Sequence, residues 1–368
     1  MVTLSNTLQA TLDPTTLSLN SVGRHLDPRP LVEHTEQRVD FLRLESLTNK
    51  SVIDVDVFDA PLVMALSKFA GLLEMTEIAT HHPLDGKLII TAFFEASTRT
   101  RLSFESAALR LDGKVVSVPD GKVTGIAKGE SLADIGEMFN TYGDLVVMRH
   151  PKAEAIPEIR KNLTLPLINA GNGTDQHPTQ ALVDWYTLLK WRPGIGSGTL
   201  PLEQRLHIGV VGEPNSMRAM RSFLLIAPFF ASSIRELSII SPSDNPIAGT
   251  IEARLKAAGI NVSTSKRLGP VLPNLDVVYI NSIALLADGG YHELASDYRL
   301  SKDSPLKPGS VILHPFARRG ELDPDLDPTP HNLYFAQAAG AVYIRQALLI
   351  CLLGRLAALP GSILYLAK

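Results

Sequence analysis

The chain has 368 residues, too many for one ordinary compact core and suited to two domains of roughly 150 residues with a cleft between them. A content of 45% hydrophobic and 20% charged residues is that of a folded globular protein, and a net charge of −3 with no basic run or aromatic-basic stripe argues against a nucleic-acid binder. The single cysteine, Cys351, excludes an intramolecular disulfide and a cysteine-rich metal site, and its apolar surroundings in ALLICLLGRLAAL mark it as a core residue.

Residues 1–40 are rich in Ser, Thr, Leu and Pro without a clear period, and they read as a poorly ordered extension. From Phe41 onward, apolar runs alternate with helical patterns. KLIITAFF, KVVSV, DLVVMRH and LPLINA are the expected strands of the first half, and RLHIGVVG, ELSIISP, DVVYINS and SVILHP those of the second. This alternation predicts an α/β protein with two parallel-sheet αβα domains. The cluster of Pro, Gly and Ser in WRPGIGSGTLPLEQR places the boundary near 191, giving domains over 41–190 and 191–345. The apolar segment 346–368 reads as a C-terminal helix able to pack on either domain. No apolar stretch approaches the ~20 residues that span a bilayer, and the amino terminus lacks a charged segment followed by an apolar one, so no membrane contact and a cytoplasmic location are expected.

Chemistry concentrates in five places. FEASTRTRLSFE follows a strand and opens a helix, so Ser97, Thr98, Arg99 and Thr100 gather hydroxyls, a guanidinium and free backbone amides at the positive end of a helix dipole. Such a cradle suits a phosphate, and a helix cap with exposed arginines is the alternative. Arg149 ends the apolar strand LVVMRHP, where open α/β sheets place ligands. NAGNGTDQHPTQALVDW is a Gly- and Asn-rich turn that leads His177, Pro178, Thr179 and Gln180 into a helix, and His177 reads either as a cleft residue or as a hydrogen-bonded loop histidine. In GIAKGESLADI, Lys128 rides a Gly-flanked loop that could carry a cation to a ligand from outside the main pocket, or that simply holds it in solvent. LHPFARRGEL again follows an apolar strand, with carbonyls near Pro315 available to a substrate amide.

FFEASTRTRLSFE, Lys128-Gly129-Glu130, VMRHP, NAGNGTDQHPTQAL, HPFAR and TPHNLYFAQAAGAVYIRQALL occur together, in this order, over residues 40–355. The set resembles the aspartate and ornithine carbamoyltransferase superfamily, most of all its aspartate branch. The resemblance implies that the phosphate of carbamoyl phosphate sits on Ser97, Thr98, Arg99 and Thr100, with Arg149 completing the clamp. Thr100, Arg149 and His177 would surround the carbamoyl oxygen, and Gln180 with the carbonyls of Pro315 and Phe316 would hold the carbamoyl amino group. Lys128 and a hydroxyl near Thr124 would come from the neighbouring subunit of a homotrimer. The implied reaction is attack of a neutral amine on the carbamoyl carbon with phosphate leaving, which needs no metal, no cofactor and no covalent enzyme intermediate. RLHIGVVGEPNSMR lacks the glycine spacing of a dinucleotide site.

The acceptor half departs from the pattern. Arg218 in VVGEPNSMRAMRS resembles the family's binder of an amino acid α-carboxylate, although Ala219 stands where a threonine usually follows. In DVVYINSIALLADGG, Ser282 and Ala284 occupy the positions of an Arg-x-Gln pattern whose arginine grips the side-chain carboxylate of aspartate. A carboxylate that loses such a partner binds weakly, unless Arg221 or Arg319 supplies the charge; otherwise both are surface arginines. The ornithine branch fits less well, with no clear match to its Ser-Met-Gly or His-Cys-Leu-Pro segments. Three outcomes follow: carbamoyl transfer to L-aspartate in pyrimidine synthesis, transfer to another carboxylate-bearing amine, or a non-catalytic homologue that binds carbamoyl phosphate. Further assembly of the trimers and any regulatory partner are not legible.

Overall fold

The computed structural model describes residues 25–34, 39–76, 81–198, 200–281 and 296–361. Two parallel sheets divide the strands as the apolar runs predict. The first joins β1 (Leu88–Phe93), β2 (Lys114–Val118), β3 (Leu145–His150) and β4 (Leu167–Asn172) in the order β2-β1-β3-β4. The second joins β5 (Leu206–Val211), β6 (Ile234–Ile240), β7 (Asn261–Ser265), β8 (Val277–Ile280) and β9 (Val311–Leu313) in the order β7-β6-β5-β8-β9. Every inter-strand pair within these sheets is parallel. The chain winds outward from β1 to β2 and then returns to the other side for β3; it does the same from β5 through β7 to β8. Each sheet therefore has a switch point, at β1/β3 and at β5/β8, where the strand ends open a crevice.

Among the described residues seven longer helices cover the sheets: α1 (Ala60–Met75), α2 (Thr98–Arg110), α3 (Leu132–Tyr142), α4 (Pro178–Trp191), α5 (Arg218–Ile226), α6 (Gly249–Ala257) and α7 (Tyr334–Leu352). Helix α4 is buried everywhere except at Gln180, so it is a central strut rather than an amphipathic cover. Its Trp185 stacks on Phe223 of α5 at 5.0 Å, and Phe223 stacks on Tyr279 of β8 at 4.7 Å, which ties the two sheets through one apolar column. A buried ion pair fastens α4 to α1. Lys190 Nζ lies 2.8 Å from Glu74 Oε2, which also accepts a 2.5 Å bond from Tyr186, and the Lys190 and Glu74 side chains are each 1% exposed.

Three expectations need correction. Packed chain begins before Phe41: Leu26, Leu31 and Val39 are buried, with Leu31 on a short helix, Arg29–Glu33, that lies on α1. The boundary drawn at 345/346 falls inside α7, which runs unbroken from Tyr334 and packs across α1, α2 and α4. The same 19-residue helix has the length and composition of a bilayer span, although no apolar stretch was expected to come so near; with 72% of its apolar window buried, it is a core helix. Cys351, at its end, is buried and free, and burial pushes its thiol pKa up.

Candidate active site

The carboxyl ends of β1 and β3 meet at the first switch point. Helix α2 starts there, with Ser97 as its extended N-cap (φ −157°, ψ 105°) and no capping bond from the Ser97 side chain. The hydroxyl and the first-turn amides are therefore not consumed by the helix itself. Thr100 is buried, whereas Thr98 and Arg99 are exposed. The Arg99 guanidinium stands 5.8 Å over the ring of Phe316, which follows β9 in the second half, and partial desolvation lowers its pKa.

Arg149 projects from the end of β3 with its side chain 15% exposed, and its Nη2 donates 2.8 Å to Glu95 Oε1. Its Nε is buried without a partner among the described residues, which leaves a donor for an anion. Burial and the neighbouring Arg218 lower its pKa. Arg218, the first residue of α5, reaches the same place from the second sheet. It donates to both Glu95 oxygens, at 2.8 and 2.9 Å, and at 2.7 Å to the carbonyl of Gly173. Burial raises the Glu95 pKa, but Arg218 and then Arg149 outweigh it, so the carboxyl stays below its usual range.

The Asn-rich turn is built to admit Arg218. Asn169 Oδ1 accepts from Gly171 N, Asn169 Nδ2 donates to Asn172 Oδ1, and Gly171 takes φ +113°, a left-handed value that favours glycine. A Cβ at Gly171 would lie 2.9 Å from Arg218 Nε. Beyond the turn, His177 precedes α4 with its backbone N–H bonded to Ser222 Oγ at 2.8 Å. Its ring lies between two hydroxyls, with Thr100 Oγ1 3.5 Å from Nε2 and Thr179 Oγ1 3.5 Å from Nδ1. Burial, then Arg149, Arg218 and Arg345, drive its pKa well below the ordinary histidine value. His177 is thus a neutral imidazole among guanidiniums, able to donate one hydrogen bond without adding charge.

The structure brings Ser97, Thr98, Arg99, Thr100, Arg149, His177 and Arg218 to one cleft, with Phe316 over Arg99 as its second wall. Gln180 lies on the first turn of α4 as that helix's one residue that is not buried. Phe316 N donates 2.8 Å to His314 Nδ1, which shapes the turn that carries Pro315. Arg221 Nε faces Asp175 at 3.7 Å, one turn beyond Arg218 and beside the His177 loop. The Arg319 backbone N–H bonds Glu321, and Arg318 forms a two-pronged pair with Asp327.

Lys128 and Thr124 stay apart from this cluster. Thr124 Oγ1 donates to Gly121 O at 2.6 Å and caps Ile126 N, Lys128 is exposed, and among the described residues neither bonds Ser97–Thr100, Arg149 or His177. Their loop stands over a cavity of about 590 Å³ lined by Phe94, Lys122, Ile126, His150 and Glu158. Ser282 and Ala284 lie outside the described residues. Sequence reasoning overlooked Glu95, although it sits inside the quoted motif. A carboxylate beside a phosphate cradle reads as a misfit until two arginines from distant segments are seen to meet on it.

An arginine-lined anion site at the switch point, closed over by a second α/β unit, defines a two-domain α/β transferase scaffold. Residues 50–190 match the model of the aspartate/ornithine carbamoyltransferase carbamoyl-P binding domain. Over 318 residues the chain is 35% identical to the aspartate carbamoyltransferase catalytic subunits of Methanopyrus kandleri and Picrophilus torridus, covering 84% of this chain and 99% of each relative. Aspartate transcarbamoylase from Trypanosoma cruzi, solved with carbamoyl aspartate and phosphate, superposes with a TM-score of 0.73 at 27% identity, covering 84% of this chain and 98% of that one. The same enzyme solved with carbamoyl phosphate and aspartate gives 0.72 at 27% identity, over 84% and 98% of the two chains. The chain belongs to the aspartate carbamoyltransferase family.

Proposed function

We propose that this protein transfers the carbamoyl group of carbamoyl phosphate to the amine of L-aspartate, giving N-carbamoyl-L-aspartate and phosphate. The observation that carries this reading is the meeting of Arg149, from a strand of the first sheet, and Arg218, from the helix that follows β5, on a single carboxylate beside the neutral His177. The reaction pairs a donor phosphate with an acceptor carboxylate, and these two arginines bring a cation from each half of the molecule to the one cleft.

Ser97, Thr98, Arg99 and Thr100 hold the phosphate through the free amides of α2 and the Arg99 fork. Thr100, His177 and Arg149 face the carbamoyl oxygen. As the amine attacks, charge builds on that oxygen, and donors fixed in advance by burial stabilise it without reorganising. The C–N bond forms, the C–O bond to phosphate breaks, and the amine proton passes to the departing phosphate. Arg218 takes the α-carboxylate of the acceptor, which displaces Glu95 from at least one of its contacts.

Lys128 and Thr124 act from a neighbouring subunit of a homotrimer in this reading. The exposure of Lys128 and the lack of a bond from either residue to its own cleft support it. A second reading, transfer to a different carboxylate-bearing amine, is favoured by Ser282 and Ala284 at the positions where aspartate's side chain would need an arginine. The test is phosphate release by the purified protein from carbamoyl phosphate, with L-aspartate compared against a panel of amino acids and amides. Release that depends on L-aspartate is expected. Release only with another amine establishes the second reading, and no release with any amine overturns both.

A further inference from the structure

Gln180 Nε2 donates 2.7 Å to Oδ1 of Asp184, one helical turn further along α4. Asp184 is fully buried, and among the described residues no cation bears on it. Its partners are three neutral donors from three elements: Gln180, Gln337 Nε2 of α7 at 2.6 Å on the same Oδ1, and Tyr279 OH of β8 at 2.8 Å on Oδ2. Burial pushes the carboxyl pKa up to about 7 while the three donors, each of which favours the ionised form, pull against it.

Each amide that turns its NH2 toward this carboxylate must turn its carbonyl oxygen away. For Gln337 that oxygen accepts the backbone N–H of His314 at 2.8 Å, at the root of the Pro315–Phe316 turn. His314 in turn is held by Glu321, with Nε2 2.7 Å from Oε1, and accepts from Phe316 N. For Gln180 the freed oxygen belongs to the one residue of α4 that is not buried. Asp184 thus fixes, through one atom, the face that Gln180 offers and the seat of the Pro315–Phe316 turn.

We propose that Asp184, acting with Gln337, is a positioning residue that presents Gln180 Oε1 and the 315–316 carbonyls as a matched set of acceptors for a donor –NH2 group. It thereby sets the preference for a carbamoyl phosphate over an acyl phosphate that lacks the amide N–H groups. This rests on the reading of the cleft as a carbamoyl phosphate site. A methyl in place of the amino group would leave acceptors that the ligand itself covers unpaired, and that mismatch is what produces discrimination. An asparagine at 184 can present either an oxygen or an NH2 to Gln180, so the Gln180 amide loses its enforced direction.

The experiment measures binding of carbamoyl phosphate, acetyl phosphate and inorganic phosphate to wild type, Asp184→Asn and Gln337→Met by calorimetry, with kcat and KM where turnover occurs. The expected result is a carbamoyl-over-acetyl preference in wild type that falls by about tenfold or more in Asp184→Asn, with inorganic phosphate affinity within about twofold of wild type. Gln337→Met, which leaves the Gln180–Asp184 bond in place, loses a smaller part of the preference, and it supplies the answer if Asp184→Asn does not fold. A wild-type preference kept intact by whichever variants fold overturns the proposal alone. Wild type that does not distinguish the two ligands overturns it together with the reading of the cleft.

Discussion

The carboxylate of Glu95 joins two arginines that lie 54 and 123 positions away in the chain, accepting 2.8 Å bonds from both Arg149 and Arg218 on the same oxygen. Arg149 ends a strand of the first sheet and Arg218 opens the helix that follows β5 of the second, so the contact bridges the donor and acceptor walls of the cleft. It also places an internal anion where the site must later accept external ones.

Glu95→Gln removes that charge while keeping the size of the side chain. Two guanidiniums then face each other without a shared counter-charge, and the alignment between the halves is lost. We expect kcat to fall by about tenfold or more and stability by about 1–3 kcal/mol, as for loss of a charged hydrogen-bond partner. Steady-state kinetics and urea unfolding check both, and an unchanged kcat would show that Glu95 is a spectator.

Much of this was legible in the chain. Every apolar run taken as a strand forms one: most are buried on both faces and so continuously apolar, and the edge strand β2, which has no buried residue, is legible from the valines of KVVSV. The edge strand β7, Asn261–Ser265, escaped because it is nowhere fully buried and its NVSTS sequence carries no such run. Arg149 was legible from its place at a strand end. The convergences were not. Glu95 needs residues 54 and 123 positions away, and Asp184 looks like any polar residue in a helix until Gln337 and Tyr279, 153 and 95 positions distant, are seen to donate to it. A pattern that repeats with a local period can be read along the chain, whereas a contact between distant segments requires the fold.

Arg99→Ala tests the phosphate cradle. The guanidinium stands at the start of α2 over Phe316, where it can grip the donor phosphate from the side of the second sheet. Its removal should lower kcat/KM for carbamoyl phosphate by about 10²–10³, the range for losing one preorganised donor to developing charge. A loss below about fivefold would place the phosphate elsewhere.

Gly171→Ala should separate the two halves of the site. The left-handed φ of +113° strains any side chain, and the new Cβ would press on Arg218 Nε from 2.9 Å. The KM for the acceptor should rise by about tenfold, since Arg218 must move, while inorganic phosphate binding at the α2 terminus stays within about twofold. Equal losses in both would mean that Gly171 supports the whole cleft rather than Arg218.

His177 gives a pH signature with a definite sign. Its pKa in the folded protein lies well below the ordinary histidine value of about 6.5, so below that pH the unfolded chain binds a proton that the folded one refuses. The stability carried by the neutral ring is complete above about pH 6.5 and is lost at about 1.4 kcal/mol per pH unit as the pH falls below it. His150, His207 and His314 are shifted in the same direction, so the difference between wild type and His177→Asn is the quantity to measure. That difference should shrink on acidification to about pH 5, and a constant difference would mean that His177 carries its proton in the fold.

The intersubunit reading of Lys128 makes the sharpest demand. Lys128→Ala and Arg99→Ala should each be nearly inactive, because a site built from two chains fails when either contribution is lost. Their defects nevertheless lie on different chains of any one site. When the two variants are dissociated, mixed in equal amounts and reassembled, a site is whole if Arg99 comes from one parent and the neighbouring Lys128 from the other, which for random trimers is about one site in four. Activity should therefore return to about a quarter of wild type, although neither parent has it. If Lys128 instead served the cleft of its own chain, every chain in the mixture would carry one lesion in its own site and mixing would restore nothing. The exposed position of Lys128, on a loop whose Thr124 hydroxyl is already spent on a local cap, favours recovery.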